Sequence, residues 1–60
     1  MFVELKDIDL DVMRIVRVDN IIECRGSDYG TTVYLSFDDG RSDYFTTSRS
    51  TRDIMDQIQG

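Results

Sequence analysis

The sequence predicts an α+β domain: a small antiparallel β-meander of about four to five strands with one short C-terminal helix packed on the sheet. Three observations predict it. Residues 32–37 and 44–47 are β-branched and aromatic runs on either side of Asp38-Asp39-Gly40-Arg41. Residues 14–18 and 21–25 are two further apolar runs, separated by Asp19-Asn20, whose side chains can turn the chain by bonding their own backbone. Ser50-Thr51-Arg52-Asp53 then opens a helix, with Ile54, Met55 and Ile58 on one face.

Each element has its own warrant. Phe2-Val3-Glu4-Leu5 reads as a short strand and Lys6-Asp7 as a turn. In the next stretch, Ile8, Leu10 and Val12 alternate with Asp7, Asp9 and Asp11, the period of a half-buried strand. Leu5, Ile8, Val12 and Ile15 also recur at helical spacing. Three aspartates and several β-branched residues lower helix propensity, which favours extended structure over residues 7–16. Gly26-Ser27-Asp28-Tyr29-Gly30 reads as a loop.

The central hairpin admits two registers. A two-residue type I′ turn at Asp39-Gly40 places Leu35 opposite Tyr44 and Val33 opposite Thr46. A three-residue loop with a bulge at Gly40 shifts the pairing by one and places Val33 opposite Phe45. The register decides which aromatics face the core. In the helix, Ser50 is the expected cap, Asp53 suits the positive end of the dipole, and Gly60 is the expected terminator. A helix of about eight residues is unstable alone in water, so its apolar stripe must dock on the sheet. Replacing Ile54 or Ile58 with Ala is expected to cost roughly 2–5 kcal/mol.

Sixty residues make a single domain, 1–60, and a marginal core. Cys24 is the only cysteine and there is no histidine, so an intrachain disulfide is excluded and a zinc shell would need several carboxylates. Oligomerisation is the expected supplement. Twelve acids against seven bases give a net charge of −5, which disfavours direct contact with nucleic acid. The chain has neither an apolar run of about 18 residues nor a charged-then-apolar leader. With its lone cysteine, this predicts a cytoplasmic protein with no membrane partner. Met1 opens the sequence, and a complete small gene product is expected.

Asp7, Asp9 and Asp11 resemble the opening of a calcium loop, but that loop needs Gly at its sixth position and Glu at its twelfth, where this chain has Val12 and Val18. They read instead as the solvated face of a strand, or as an acidic stripe that contacts a protein partner. Such a stripe could imitate phosphate spacing, with charges about 6.6 Å apart. Tyr29, Tyr34, Phe37, Tyr44 and Phe45 exceed what one sheet face can cover. Tyr34 with Phe45 or Phe37 is expected to form an exposed patch, and such patches commonly mark interfaces. The expected partner-binding set is therefore Asp7, Asp9, Asp11, Tyr34, Phe37, Tyr44 and Phe45. Asp43 and Arg41 are a candidate ion pair. Cys24 reads as a buried small hydrophobe, since no base is present to activate it. No catalytic residue, metal site or cofactor is expected, and the chain is read as non-enzymatic.

Residues 15–58 resemble the small flagellar FlbD-like family and related short bacterial and phage proteins. In that pattern a strand leads to I-N-x-D-x-I, then T-x-V-x-L-x-x-G-x-x-Y-x-V, then a short acidic-apolar helix. The matching residues are Val18, Asp19, Ile21, Ile22, Thr31, Val33, Leu35, Gly40, Tyr44, Ile54 and Ile58. The chain departs from the pattern at the I-N-x-D asparagine and carries an extra Phe37-Asp38. The resemblance implies a β-rich, non-enzymatic cytosolic protein. The same segment is similar to the second half of LytTR-type DNA-binding domains, whose function the acidic balance and the half-length oppose.

The expected function is that of an acidic binding module, a phage or bacterial regulator or inhibitor that occludes a protein partner's surface and forms a homo-oligomer. The alternatives are an oligomer that sequesters an anionic small molecule such as a nucleotide, with Arg14, Arg17 and Arg41 as its contacts, or a structural accessory protein.

Overall fold

A computed structural model describes all residues, 1–60. The elements are β1 (Phe2–Asp7), β2 (Val12–Arg17), a 3₁₀ turn (Val18–Asn20), β3 (Ile21–Ser27), β4 (Gly30–Ser36), β5 (Ser42–Thr47) and α1 (Thr51–Gln59). β1 and β2 form one antiparallel sheet, and β3-β4-β5 form a second. This is the α+β meander the sequence predicts. β1 lies beside β5, where the Ile8 N–H donates to the Thr46 carbonyl. The core between the sheets is Val3, Leu5, Val16, Val33, Leu35, Phe45 and Ile54.

The extended reading of residues 7–16 holds at Asp7 and over 12–16, and the first hairpin corrects it at residues 8–11. β1 ends at Asp7, so Lys6-Asp7 is not the turn; residues 8–11 are, and β2 follows. The reason lies in Asp7, which is only 2 % exposed. Its Oδ1 accepts the backbone N–H groups of Asp9 (3.0 Å) and Leu10 (3.2 Å), which folds the chain back on itself. Asp11 closes the loop at φ 57°, a left-handed conformation that aspartate tolerates better than most residues. The alternation of aspartate with Ile8, Leu10 and Val12 is therefore loop chemistry rather than strand pleat.

The expected loop at residues 26–30 is also shorter than composition suggests. Gly26 and Ser27 belong to β3, Gly30 opens β4, and Ser27 pairs with Gly30 across the two-residue turn Asp28-Tyr29. Gly30 sits at φ +133°, and a Cβ there would overlap the Thr47 carbonyl oxygen. Gly30→Ala is expected to cost about 1–3 kcal/mol in backbone strain alone. Its thermal melt should fall by roughly 4–8 °C for each kcal/mol lost. An unchanged melt would show that β4 and β5 separate here without penalty.

The central hairpin takes the bulged register. Val33 pairs with Phe45, Tyr34 with Tyr44 and Leu35 with Asp43. The Gly40 N–H donates to the Phe37 carbonyl, the Phe37 N–H donates to the Arg41 carbonyl, and Gly40 sits at φ +87°. This register puts Val33, Leu35 and Phe45 on the buried face together.

The helix has the predicted caps. The Ser50 hydroxyl accepts the Asp53 N–H at 3.1 Å, and the Gly60 N–H donates to the Asp56 carbonyl. Ile54 is buried and Ile58 half-buried, but Met55 points to solvent, which corrects its place on the docking face. Near its C-terminal end, Gln57 donates through Nε2 to the Glu4 carbonyl of β1.

Candidate functional site

The residues expected to meet a partner divide into three groups. Tyr34 and Tyr44 come together. They are opposite in the β4–β5 register, and their rings lie 5.9 Å apart on the solvent face of the three-stranded sheet. Tyr44 is 66 % exposed. The Arg25 guanidinium, held by Glu23 at 2.6 Å, stacks 5.2 Å from the Tyr34 ring. Ile22, exposed where β3 has its irregularity, lines the same shallow depression as both tyrosines. The pleat explains the placement: Val33, Leu35 and Phe45 point inward, so Tyr34 and Tyr44 must point outward.

Phe45 is a correction. It is a core residue, and it cannot belong to a surface patch. Phe37 is half-buried at the core's margin beneath the Arg41 guanidinium, 5.4 Å from its ring centroid.

Asp7 is the second correction. Its carboxylate is enclosed, and its Oδ2 accepts from Arg14 Nε at 3.1 Å. Arg14 Nη1 donates to Asp43 Oδ2 at 3.0 Å, and the guanidinium lies 4.7 Å from the Phe45 ring centroid. One arginine on β2 thus clasps β1 and β5 across the core. Arg14, with the backbone N–H of Tyr44, holds the Asp43 carboxyl below the usual carboxylate range. Asp9 and Asp11 stay exposed in the loop, and Asp11 pairs with Lys6 at 2.8 Å, which lowers its pKa as well. The three aspartates therefore do not form a row along one strand face.

Arg41 pairs with Asp39 at 2.6 Å rather than with Asp43. Arg17 is the most loosely held of the three candidate arginines, 3.8 Å from Asp19. A phosphate would have to draw Arg14 and Arg41 away from carboxylates they already bond. Cys24 is half-buried, and desolvation pushes its thiol pKa up, away from nucleophilic character. No cluster of three or more His, Cys, Asp or Glu side chains is placed to hold a metal ion.

One feature was not foreseen. A groove of about 380 Å³ runs along β2 between the two sheets, with Ile15, Val16, Leu35 and Phe37 in its walls and Arg17 and Asn20 at one end. The alternation of Met13, Ile15 and Arg17 with Arg14 and Val16 signals a strand with two different faces, but the groove also needs Leu35 and Phe37 from the β4–β5 hairpin.

Comparison with protein families, characterised proteins and solved structures found no match to this chain. No helix is long and apolar enough to cross a membrane.

Proposed function

We propose that the protein is a non-catalytic binding module that occludes a protein partner's surface, as a small regulator or inhibitor would. One observation carries this reading: the paired Tyr34 and Tyr44 rings on the solvent face, continuous with exposed Ile22. Of the eleven large hydrophobic residues that are exposed, Ile22 and Tyr44 lie together on this face, and contiguous apolar surface marks interfaces where scattered residues do not. Tyrosine suits such a face, because it buries apolar area and keeps a polar tip for a hydrogen bond. Asp38 at the hairpin tip is in no ion pair, whereas Asp39 and Asp43 are held by Arg41 and Arg14, so salt is expected to weaken binding only modestly.

The test is the Tyr44→Ser variant beside the wild type, first by light scattering and then by affinity capture. Tyr44 is exposed, so the variant is expected to melt as the wild type does. A wild-type dimer that the variant returns to monomer makes the partner a second copy. A monomer whose captured protein is lost in the variant and weakened by salt makes it a different chain. Capture unchanged by the substitution would remove this face from the mechanism.

A further inference from the structure

We propose that the free edge of β2 binds an extended peptide segment by strand addition, with apolar side chains in the groove and an acidic side chain at the Arg17–Asn20 end. The proposal is independent of the tyrosine face.

Backbone geometry shows which groups are open. In an antiparallel pair, residues alternate between those bonded to the partner strand and those whose N–H and C=O point away. The Val18 N–H donates to the Met1 carbonyl, which fixes the phase. With Phe2 opposite Arg17, the bonded pairs are then Val3 with Val16, Leu5 with Arg14 and Asp7 with Val12. The Glu4 carbonyl confirms the phase independently, because it turns away from β2 to accept from Gln57. Met13, Ile15 and Arg17 must therefore direct their N–H and C=O groups off the outer edge of β2. No strand pairs with that edge. Unpaired, flat and apolar edges invite another strand, and here Ile15 is 71 % exposed and Met13 more than half exposed. The other outer strand, β3, differs: Thr51 of α1 packs beside Gly26.

The groove supplies the specificity that backbone pairing lacks. A strand added antiparallel to β2 would turn alternate side chains inward, against Val16, Leu35 and Phe37. Apolar side chains fit there. The other alternate set would lie beside Met13, Ile15 and Arg17. Charge selects the end residue. The chain has twelve acids, yet none lines this groove, and its cations are Arg14 and Arg17. Arg14 is engaged by Asp7 and Asp43. Arg17 is exposed and only loosely held by Asp19, so it is the group free to take a carboxylate. Antiparallel pairing puts the peptide's N-terminal residue opposite Arg17.

The probe is the synthetic peptide acetyl-Glu-Val-Thr-Val-Thr-Val-amide, titrated into the full-length, isotope-labelled chain and followed by NMR. The amides of Met13, Ile15 and Arg17 are expected to shift most and to gain protection from hydrogen exchange. N-methylation of the two threonine amides, which would face β2, should weaken binding at least tenfold. Exchanging the glutamate for lysine should weaken it several-fold, as should Arg17→Glu in the protein. Ile15→Pro removes one edge-facing donor while leaving the β1 bonds in place, and it should abolish binding. If that variant does not fold, the N-methylated peptide makes the same test without altering the protein. Shifts centred on Tyr34 and Tyr44, equal binding of the N-methylated peptide, or no binding at millimolar peptide would each overturn the proposal. So would Met13, Ile15 and Arg17 amides already protected in a peptide-free dimer, which would assign the edge to a second copy.

Discussion

Asp7→Ala is expected to cost about 3–5 kcal/mol, the range for removing one partner of a buried ion pair. A domain of this size rarely exceeds about 3–5 kcal/mol of net stability, so the variant should show no cooperative melt at 37 °C. Two losses combine. Arg14 keeps its bond to Asp43 but loses its enclosed partner, and the N–H groups of Asp9 and Leu10 lose their acceptor. Asp7→Asn separates them. An amide oxygen can still accept both loop N–H groups, but it leaves the guanidinium without its carboxylate. Its cost should therefore fall between wild type and Asp7→Ala. The Asp7→Ala/Arg14→Met double variant should be more stable than the sum of its parts, because it leaves no orphaned charge in the enclosed site and only the half-exposed Asp43 unpaired. Urea titrations followed by circular dichroism give all four values. Full additivity would show that Arg14 does not depend on Asp7.

The same clasp gives stability a pH dependence through Asp43. Its carboxyl is held below the ordinary range by Arg14 and then by the Tyr44 N–H. A depressed folded pKa means that the contribution is complete above the unfolded value of about 4. It is lost as pH falls through the lower folded value. Asp43 is half-exposed, so solvent keeps its share small. Asp43→Asn should lower stability at neutral pH by that small share and leave it unchanged at a pH below the folded value, so the acid limb flattens by the same amount.

The elements that sequence reveals best are those decided by neighbours in sequence. The Ser50 cap and Gly60 stop depend on bonds three or four residues long, and both form as expected. The central hairpin is recognisable from Asp39-Gly40, but both of its registers use that dipeptide equally well. Burying Phe45 beside Val33 in a core completed by β1 and α1 resolves the choice, and nothing local encodes that packing. Asp7 is the sharper case. Its alternating neighbours match a strand, and the residue type argues for exposure. Its burial depends on Arg14, seven residues on, and Arg14's placement depends on Asp43 in a different sheet. The candidate surface divides the same way. Tyr34 and Tyr44 follow from pleat alternation once the register is known. The β2 groove needs the relative placement of two sheets, which no local pattern carries.

Ile54→Ala is the second large effect, expected at about 2–5 kcal/mol, with Met55→Ala as its internal control. The two residues are adjacent in α1, yet Ile54 is 1 % exposed and Met55 is 55 % exposed. Helix propensity favours Ala over either residue, so propensity alone would predict a small gain from both changes. Only burial separates them. Ile54 reaches the core that both sheets share, so truncating it opens a cavity bounded by β-strands that cannot collapse freely. Met55 should change stability by no more than about 0.5 kcal/mol. A nine-residue helix does not persist alone, so losing the Ile54 contact should release α1 as a unit. The helix should then lose hydrogen-exchange protection before the β4–β5 hairpin does. Equal effects from the two substitutions would mean that α1 does not dock through Ile54. The Gln57 bond to Glu4 would then be its main attachment.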